Sequence, residues 1–129
     1  MVGVEVIHLD THVLVVLYLG EVNKLGAKAR KAIEEHELIA SPAAVLELEF
    51  LHEIGRLRPS ALHLVSALES DVGLRISDLP FRIVVNTALK ENWGRDPFDR
   101  LIVGNAKADD AALVTKDEKI QRNYSRVIW

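Results

Sequence analysis

Four of the chain's acidic residues, Asp10, Glu47, Asp99 and Asp117, stand where carboxylates do chemistry rather than where they solvate a surface. Asp10 follows the apolar run Val4–Leu9 and Asp117 follows Ala111–Thr115, so both lie just beyond the carboxyl end of an expected strand. The other two are turned inward by helical periodicity. After Asp96 and Pro97, Arg100 and Lys107 mark the wet face of a helix, and Asp99 falls opposite them, between Val103 and Ala106. After Ser41 and Pro42, Glu49, His52 and Glu53 form the wet face, and Glu47 lies across from them beside Leu51, Ile54 and Ala43. An inward carboxylate must be paired or bound to a cation. For Glu47, a buried arginine or a helix-edge position is the alternative.

Carboxylates gathered in one pocket repel by about 4 kcal/mol per close pair at an effective dielectric near 20, so they call for a counter-charge. A hard divalent cation supplies it. Oxygen donors alone select Mg²⁺ or Mn²⁺ over zinc, and such an ion bridges an acidic pocket to a phosphodiester and activates water without a histidine base. Other chemistries lack their residues. There is no cysteine, no G-x-S-x-G nucleophile elbow, and no G-x-x-x-x-G-K or G-x-G-x-x-G after the first strand. An aspartyl-phosphate phosphatase needs an acid two residues after Asp10, where His12 stands. His8, Asp10 and His12 form an H-x-D-x-H cluster, but a strand-to-helix switch after Asp10 is expected to swing His12 away and leave His8 a plain strand residue. His36, His52 and His63 are expected at the surface without a role.

The elements that position these residues alternate. Strands are expected at Val4–Leu9, Glu37–Ala40, Leu74–Ser77, Ala111–Thr115 and Arg126–Trp129. Helices are expected at Thr11–Leu19, Asn23–Glu35, Ser41–Ile54, Ser60–Val72, Pro80–Asn92, Asp96–Asp109 and Lys116–Asn123. The 23–35 helix reads as a solvated face without chemistry, and the helix after Asp10, apolar nearly all round, as partly a partner surface. This alternation predicts a three-layer α/β/α domain with a mainly parallel sheet of four to five strands. Its ligand crevice lies outside the carboxyl ends of the strands, where the two patterns bring all four acids together.

At 129 residues, without a dividing linker or repeat, residues 1–129 are expected to form a single domain. The net charge of −3 excludes nucleic-acid binding by bulk positive charge, so a polyanion must be held locally or through metal. Basic candidates for such contacts are Arg56 and Arg58 in one connector, and Arg95, Arg100 and Lys116 near the acids. The most apolar run, Val13–Leu19, is far short of the ~20 residues of a membrane span, and Glu5 with Asp10 before it argues against a signal peptide. A cysteine-free chain fits a cytoplasmic location.

With these residues in place the chain resembles PIN-domain proteins, and among them the VapC ribonuclease toxins of type II toxin–antitoxin systems. The resemblance runs through Leu9-Asp10-Thr11-His12, Ser41-Pro42-Ala43-Ala44-Val45-Leu46-Glu47, Asp96-Pro97-Phe98-Asp99-Arg100-Leu101-Ile102, Val114-Thr115-Lys116-Asp117 and Val127-Ile128-Trp129. It implies a PIN fold and an acidic site at Asp10, Glu47, Asp99 and Asp117, with Asp96 as a further acid at the rim. Thr115 matches the hydroxyl residue that accompanies the fourth acid, and Thr11 stands beside the first. Asn105 occupies a position where related sequences often carry glutamine; it either orients a carboxylate or is an amide satisfied in the core. The implied activity is Mg²⁺- or Mn²⁺-dependent hydrolysis of RNA by metal-activated water. The implied partners are a second copy of the chain in a homodimer and a VapB-like antitoxin covering the site. A catalytically silent PIN domain that binds RNA or protein, and a DNA nuclease or phosphodiesterase, are the alternatives.

Overall fold

A computed structural model describes residues 5–129. Five strands, β1 (Val6–Leu9), β2 (Glu37–Ala40), β3 (Arg75–Ile76), β4 (Ala112–Val114) and β5 (Val127–Ile128), form one sheet in the order β3-β2-β1-β4-β5. Every pairing is parallel, with Ile7 opposite both Leu38 and Ala112 at the centre. The expected first strand reached back to Val4, which lies outside the described residues.

Helices flank the sheet: α1 (Thr11–Leu19), α2 (Ala27–Glu35), α3 (Pro42–Glu53), α4 (Ala61–Val72), α5 (Phe81–Ala88), α6 (Pro97–Ala108) and α7 (Glu118–Asn123). The caps seen in the sequence set their starts. Ser41 Oγ accepts from the Ala43 amide with Pro42 at the first helical position, and Ser60 Oγ accepts from the His63 amide. Strand residues Leu9, Leu113 and Val114 are wholly buried, and Leu14, Leu48, Leu64, Ile102 and Ile120 pack into the same core from five helices. Because β1 sits between β2, which follows it, and β4, which comes much later, the order of connections reverses there. That reversal opens the crevice beside the end of β1.

Several expectations are corrected. The single helix over 23–35 is a 3₁₀ turn, Val22–Lys24, followed by α2. The break falls at Gly26, where a Cβ would come within 2.5 Å of the Trp129 backbone, and the Trp129 carbonyl accepts from the Ala29 amide. Helix α5 stops at Ala88 rather than Asn92, because the chain turns back and brings Glu91 inside. There the Glu91 carboxylate pairs with Lys107 and accepts from Trp93 Nε1 at 2.6 Å. The face of α6 read as wet therefore packs on α5 and its exit: Lys107 meets Glu91, and Arg100 donates to the Ala88 and Leu89 carbonyls. Glu49 likewise leaves the wet face of α3 and accepts from the Ala61 amide at the start of α4.

The apolar surface also moves. Helix α1 is mostly covered, whereas α3 exposes Leu46, Phe50 and Ile54 at i, i+4 and i+8, with Phe98 of α6 beside Phe50 at 6.2 Å between ring centroids.

Helices α5 and α6 touch at Gly104, where an added Cβ would lie 2.9 Å from the Ala88 nitrogen and 3.0 Å from its Cα and Cβ. Gly104→Ala gains about 1 kcal/mol of helix propensity but overpacks this contact by about 1–3 kcal/mol. The expected result is a lower melting temperature, and a larger fall for Gly104→Val, measured by thermal unfolding with circular dichroism.

Candidate functional site

Three of the four acids, Asp10, Asp99 and Asp117, reach the crevice on helix starts, and Glu47 reaches it from the middle of α3. Asp10 leaves β1 in an extended conformation and caps α1, its Oδ1 accepting from the Thr11 amide at 2.8 Å. Asp10 Oδ2 accepts from Thr115 Oγ1 at 2.6 Å, and His12 Nδ1 stands 3.4 Å from the same oxygen. The Thr115 hydroxyl in turn accepts from the Asp117 amide at 3.0 Å, so one buried threonine ties the end of β1 to the end of β4. Asp117 caps α7 through the Ile120 amide at 3.0 Å.

Glu47 points in from the middle of α3, and its Oε1 accepts from Thr11 Oγ1 at 2.5 Å. Asp99 enters from the first turn of α6, half-buried. Asp96, which caps α6 by accepting from the Phe98 and Asp99 amides at 2.8 and 3.2 Å, is exposed outside the cleft.

The resulting cleft of about 390 Å³ has three kinds of wall. Asp10, Glu47, Asp99 and Asp117 make it acidic; Val15, Val16, Leu51 and Leu57 line an apolar side; Lys24, Arg56 and Lys116 stand around it with positive charge. All four acids singled out from the sequence are thus brought together, with Thr11 and Thr115 linking them. Lys116 lines the cleft near the acids as expected, and Arg56 of the connector lines it too. Arg58 and Arg95 are exposed and lie outside the cleft, and Arg100 is committed to the end of α5. Asn105 is fully buried and donates to Ser77 Oγ at 3.0 Å, so it orients no carboxylate.

Two cleft residues escaped the sequence reading. His12 is not swung away, since the first turn of α1 returns it to the Asp10 carboxylate and the Lys116 amide. Lys24 belonged to a stretch read as solvated. The signal for it was Gly26, which detaches Val22–Lys24 from the helix behind it. His8 is more than a plain strand residue: it is buried, with Nε2 2.5 Å from Asp109 Oδ2.

Electrostatics separates the acids. Burial opposes the charge on Asp10, but His12, the Thr115 hydroxyl and the Thr11 amide together outweigh it and hold the carboxyl below its usual range. Burial, with Asp10 and Asp96 beside it, raises Glu47 despite the Thr11 hydroxyl and His12. Asp99 is pushed up to about 7, first by burial and then by Asp96, Asp10, Asp117 and Glu47. Five acids therefore act on one another with too little positive charge between them. An all-oxygen donor set of this kind fits a hard divalent cation such as Mg²⁺ or Mn²⁺. Among the described residues no three His, Asp or Glu side chains are gathered tightly enough to clasp an ion as they stand, so the carboxylates would have to turn inward to do so.

Because Asp99 ionises near 3.8 in the unfolded chain and near 7 in the folded one, its ionisation costs stability that is lost progressively as pH rises through that window. Asp99→Asn is expected to raise the melting temperature of the metal-free protein. The gain should grow from about pH 4 to about pH 7 and level off above. Discounted for solvent screening, its plateau is roughly 1–2 kcal/mol. Melting curves of both proteins across this range check it, and a gain independent of pH would exclude the charge as its cause.

Solved structures with the same fold include three that are toxin–antitoxin proteins by description. VapBC2 from Rickettsia felis bound to a DNA fragment from their promoter is 16% identical, with 91% of this chain and 92% of that chain covered and a TM-score of 0.59. A toxin–antitoxin complex from Klebsiella pneumoniae is 16% identical over 95% and 96% of the two chains, with a TM-score of 0.63. VapBC-1 from nontypeable Haemophilus influenzae is 17% identical over 92% of each chain, with a TM-score of 0.55. No curated protein matches the chain in sequence. A family model described as the PIN domain matches residues 7–125. Since that match runs through all seven helices and every acid of the cleft, the chain belongs to the PIN domain family.

Proposed function

We propose that this PIN domain is a VapC-type toxin: a Mg²⁺- or Mn²⁺-dependent endoribonuclease in which Asp10, Glu47, Asp99 and Asp117 hold the cation and Asp96 adds negative charge at the rim. The observation that carries this reading is the gathering of Asp10, Glu47, Asp99 and Asp117 in one cleft at the crevice of the sheet, where burial and then the neighbouring acids push the Asp99 carboxyl up to about 7. Such a cluster costs folding free energy unless a cation joins it. When bound, the cation offsets that repulsion, draws in the phosphodiester and makes water a better nucleophile.

The chain's own residues prepare the site. Thr115 and the Thr11 amide hold Asp10 in one orientation, and the Thr11 hydroxyl holds Glu47. Burial and the surrounding acids favour the protonated form of Asp99 until a counter-charge arrives. Lys116, Arg56 and Lys24 line the cleft, and in this reading they pair with the flanking phosphates of an RNA strand. The apolar side formed by Val15, Val16, Leu51 and Leu57 limits water around the acids. A VapB-like antitoxin and a second copy of the chain are the proposed partners, in the cytoplasm; the toxin–antitoxin complexes that share the fold support the first of these. No helix among the described residues is long and apolar enough to cross a membrane.

Saturating Mn²⁺ at about 100 times its Kd is expected to stabilise the wild type by about 2.7 kcal/mol, and to stabilise Asp99→Asn much less. The wild type with Mn²⁺ should cut RNA and leave a DNA of matched sequence intact, and Asp99→Asn should lose at least ~100-fold in rate, since a ligand to the ion is removed. Cleavage retained in Asp99→Asn would remove that residue from the mechanism. A wild type that neither gains stability with Mn²⁺ nor cuts RNA would be a binding module instead.

A further inference from the structure

Between the two strand ends that carry Asp10 and Asp117 lies an imidazole that the acidic site does not itself require. His12 Nε2 accepts the Lys116 backbone N–H at 3.2 Å. That nitrogen is therefore bare, and the ring proton sits on Nδ1, 3.4 Å from Asp10 Oδ2. Trp129 lies beside the ring, with its aromatic centroid 6.0 Å away and the planes at 59°.

We propose that His12 is a positioning residue: through Nδ1–H it fixes the Asp10 carboxylate, and through Nε2 it fixes the β4–α7 connection that presents Asp117. This assignment rests on the metal-nuclease reading of the cleft. At one side the Thr115 hydroxyl donates to Asp10 Oδ2 at 2.6 Å, and the imidazole Nδ1 stands 3.4 Å from the same oxygen, within ion-pair range. At the other side they hold consecutive amides, those of Lys116 and Asp117. Neither tie alone fixes the relative placement of two acids on separate connections; together they do. A direct ligand role for His12 is disfavoured by the same contacts, because one ring nitrogen accepts an amide and the other faces a carboxylate. Groups that orient a metal-binding side chain in this way typically account for 10–100-fold in affinity.

The first test uses the metal-free full chain and needs no turnover. Ring ¹⁵N shifts of His12 should show the Nδ1–H tautomer, and amide exchange at Lys116 and Asp117 should quicken in His12→Ala. The Nε2–H tautomer, or unchanged exchange, overturns the proposal whether or not the protein proves to be a nuclease. The second test measures Mn²⁺ binding by calorimetry together with RNA cleavage. His12→Ala should bind Mn²⁺ about 10–100-fold more weakly, with kcat reduced and KM for RNA within about twofold. His12→Asn places an amide donor where Nδ1–H stands and should recover most of the affinity, whereas His12→Gln, which restores only the Lys116 contact, should recover less. A His12→Ala protein that melts lower but binds Mn²⁺ like the wild type would make His12 merely structural, and equal losses in the Ala and Asn variants would sink the link to Asp10. If the wild type binds no Mn²⁺, the nuclease reading fails separately, and the tautomer and exchange results still decide whether His12 makes the two ties.

Discussion

Mutual repulsion among carboxylates at one edge of the sheet is the constraint that the rest of this structure answers. The acids cannot disperse, because each follows a strand, caps a helix or lies in a helix packed on the core. The fold meets the problem with dipoles. Helices α1, α3, α6 and α7 all start at this edge, where unpaired amides carry partial positive charge. Asp10, Asp96 and Asp117 use those amides as caps, so the same oxygens that burden the cleft complete the helices around it. Asp99 and Glu47 have no such cap to make, and they are the acids whose carboxyls are pushed upward. Burial alone does not divide the set, since Asp10 is more buried than Glu47 or Asp99 yet is the one held down.

Much of this was legible in the chain because the signals were local. Cap residues followed by Pro42 or Pro97 place helix starts to within a residue, and strand-terminal acids needed only an apolar run before them. Asp99 was legible by contrast with Arg100 and Lys107, although those two residues face α5 rather than water. The inward side was right and the reason for the outward side was wrong. Periodicity cannot distinguish a charged face that is solvated from one that is paired, as Glu91 with Lys107 demonstrates. Contacts between distant segments were illegible. Nothing near Gly26 announces that the Trp129 backbone rests against it, and nothing near His12 announces the Lys116 amide.

Helix α6 shows how far from the cleft its geometry is maintained. Its first turn carries Asp99, while its remaining length is anchored by Gly104 against Ala88, by Arg100 on the carbonyls that end α5, and by Asn105 on Ser77. At its far end Asp109 meets His8 of the central strand. These contacts all bear on the helix that presents the carboxylate, so residues that set its position lie well outside the cleft.

The shape of the sheet has a separate consequence for how copies of this chain meet other chains. Both outer strands, β3 and β5, are only two residues long, which leaves a very short row of backbone groups for an incoming strand to match. Extension of the sheet from one molecule into the next is therefore suppressed at both margins. Any association is left to side chains, among which Leu46, Phe50 and Ile54 along α3 form an exposed apolar ridge. Recognition built on such a ridge depends on shape, and single substitutions on it can tune or abolish it without disturbing the strands beneath.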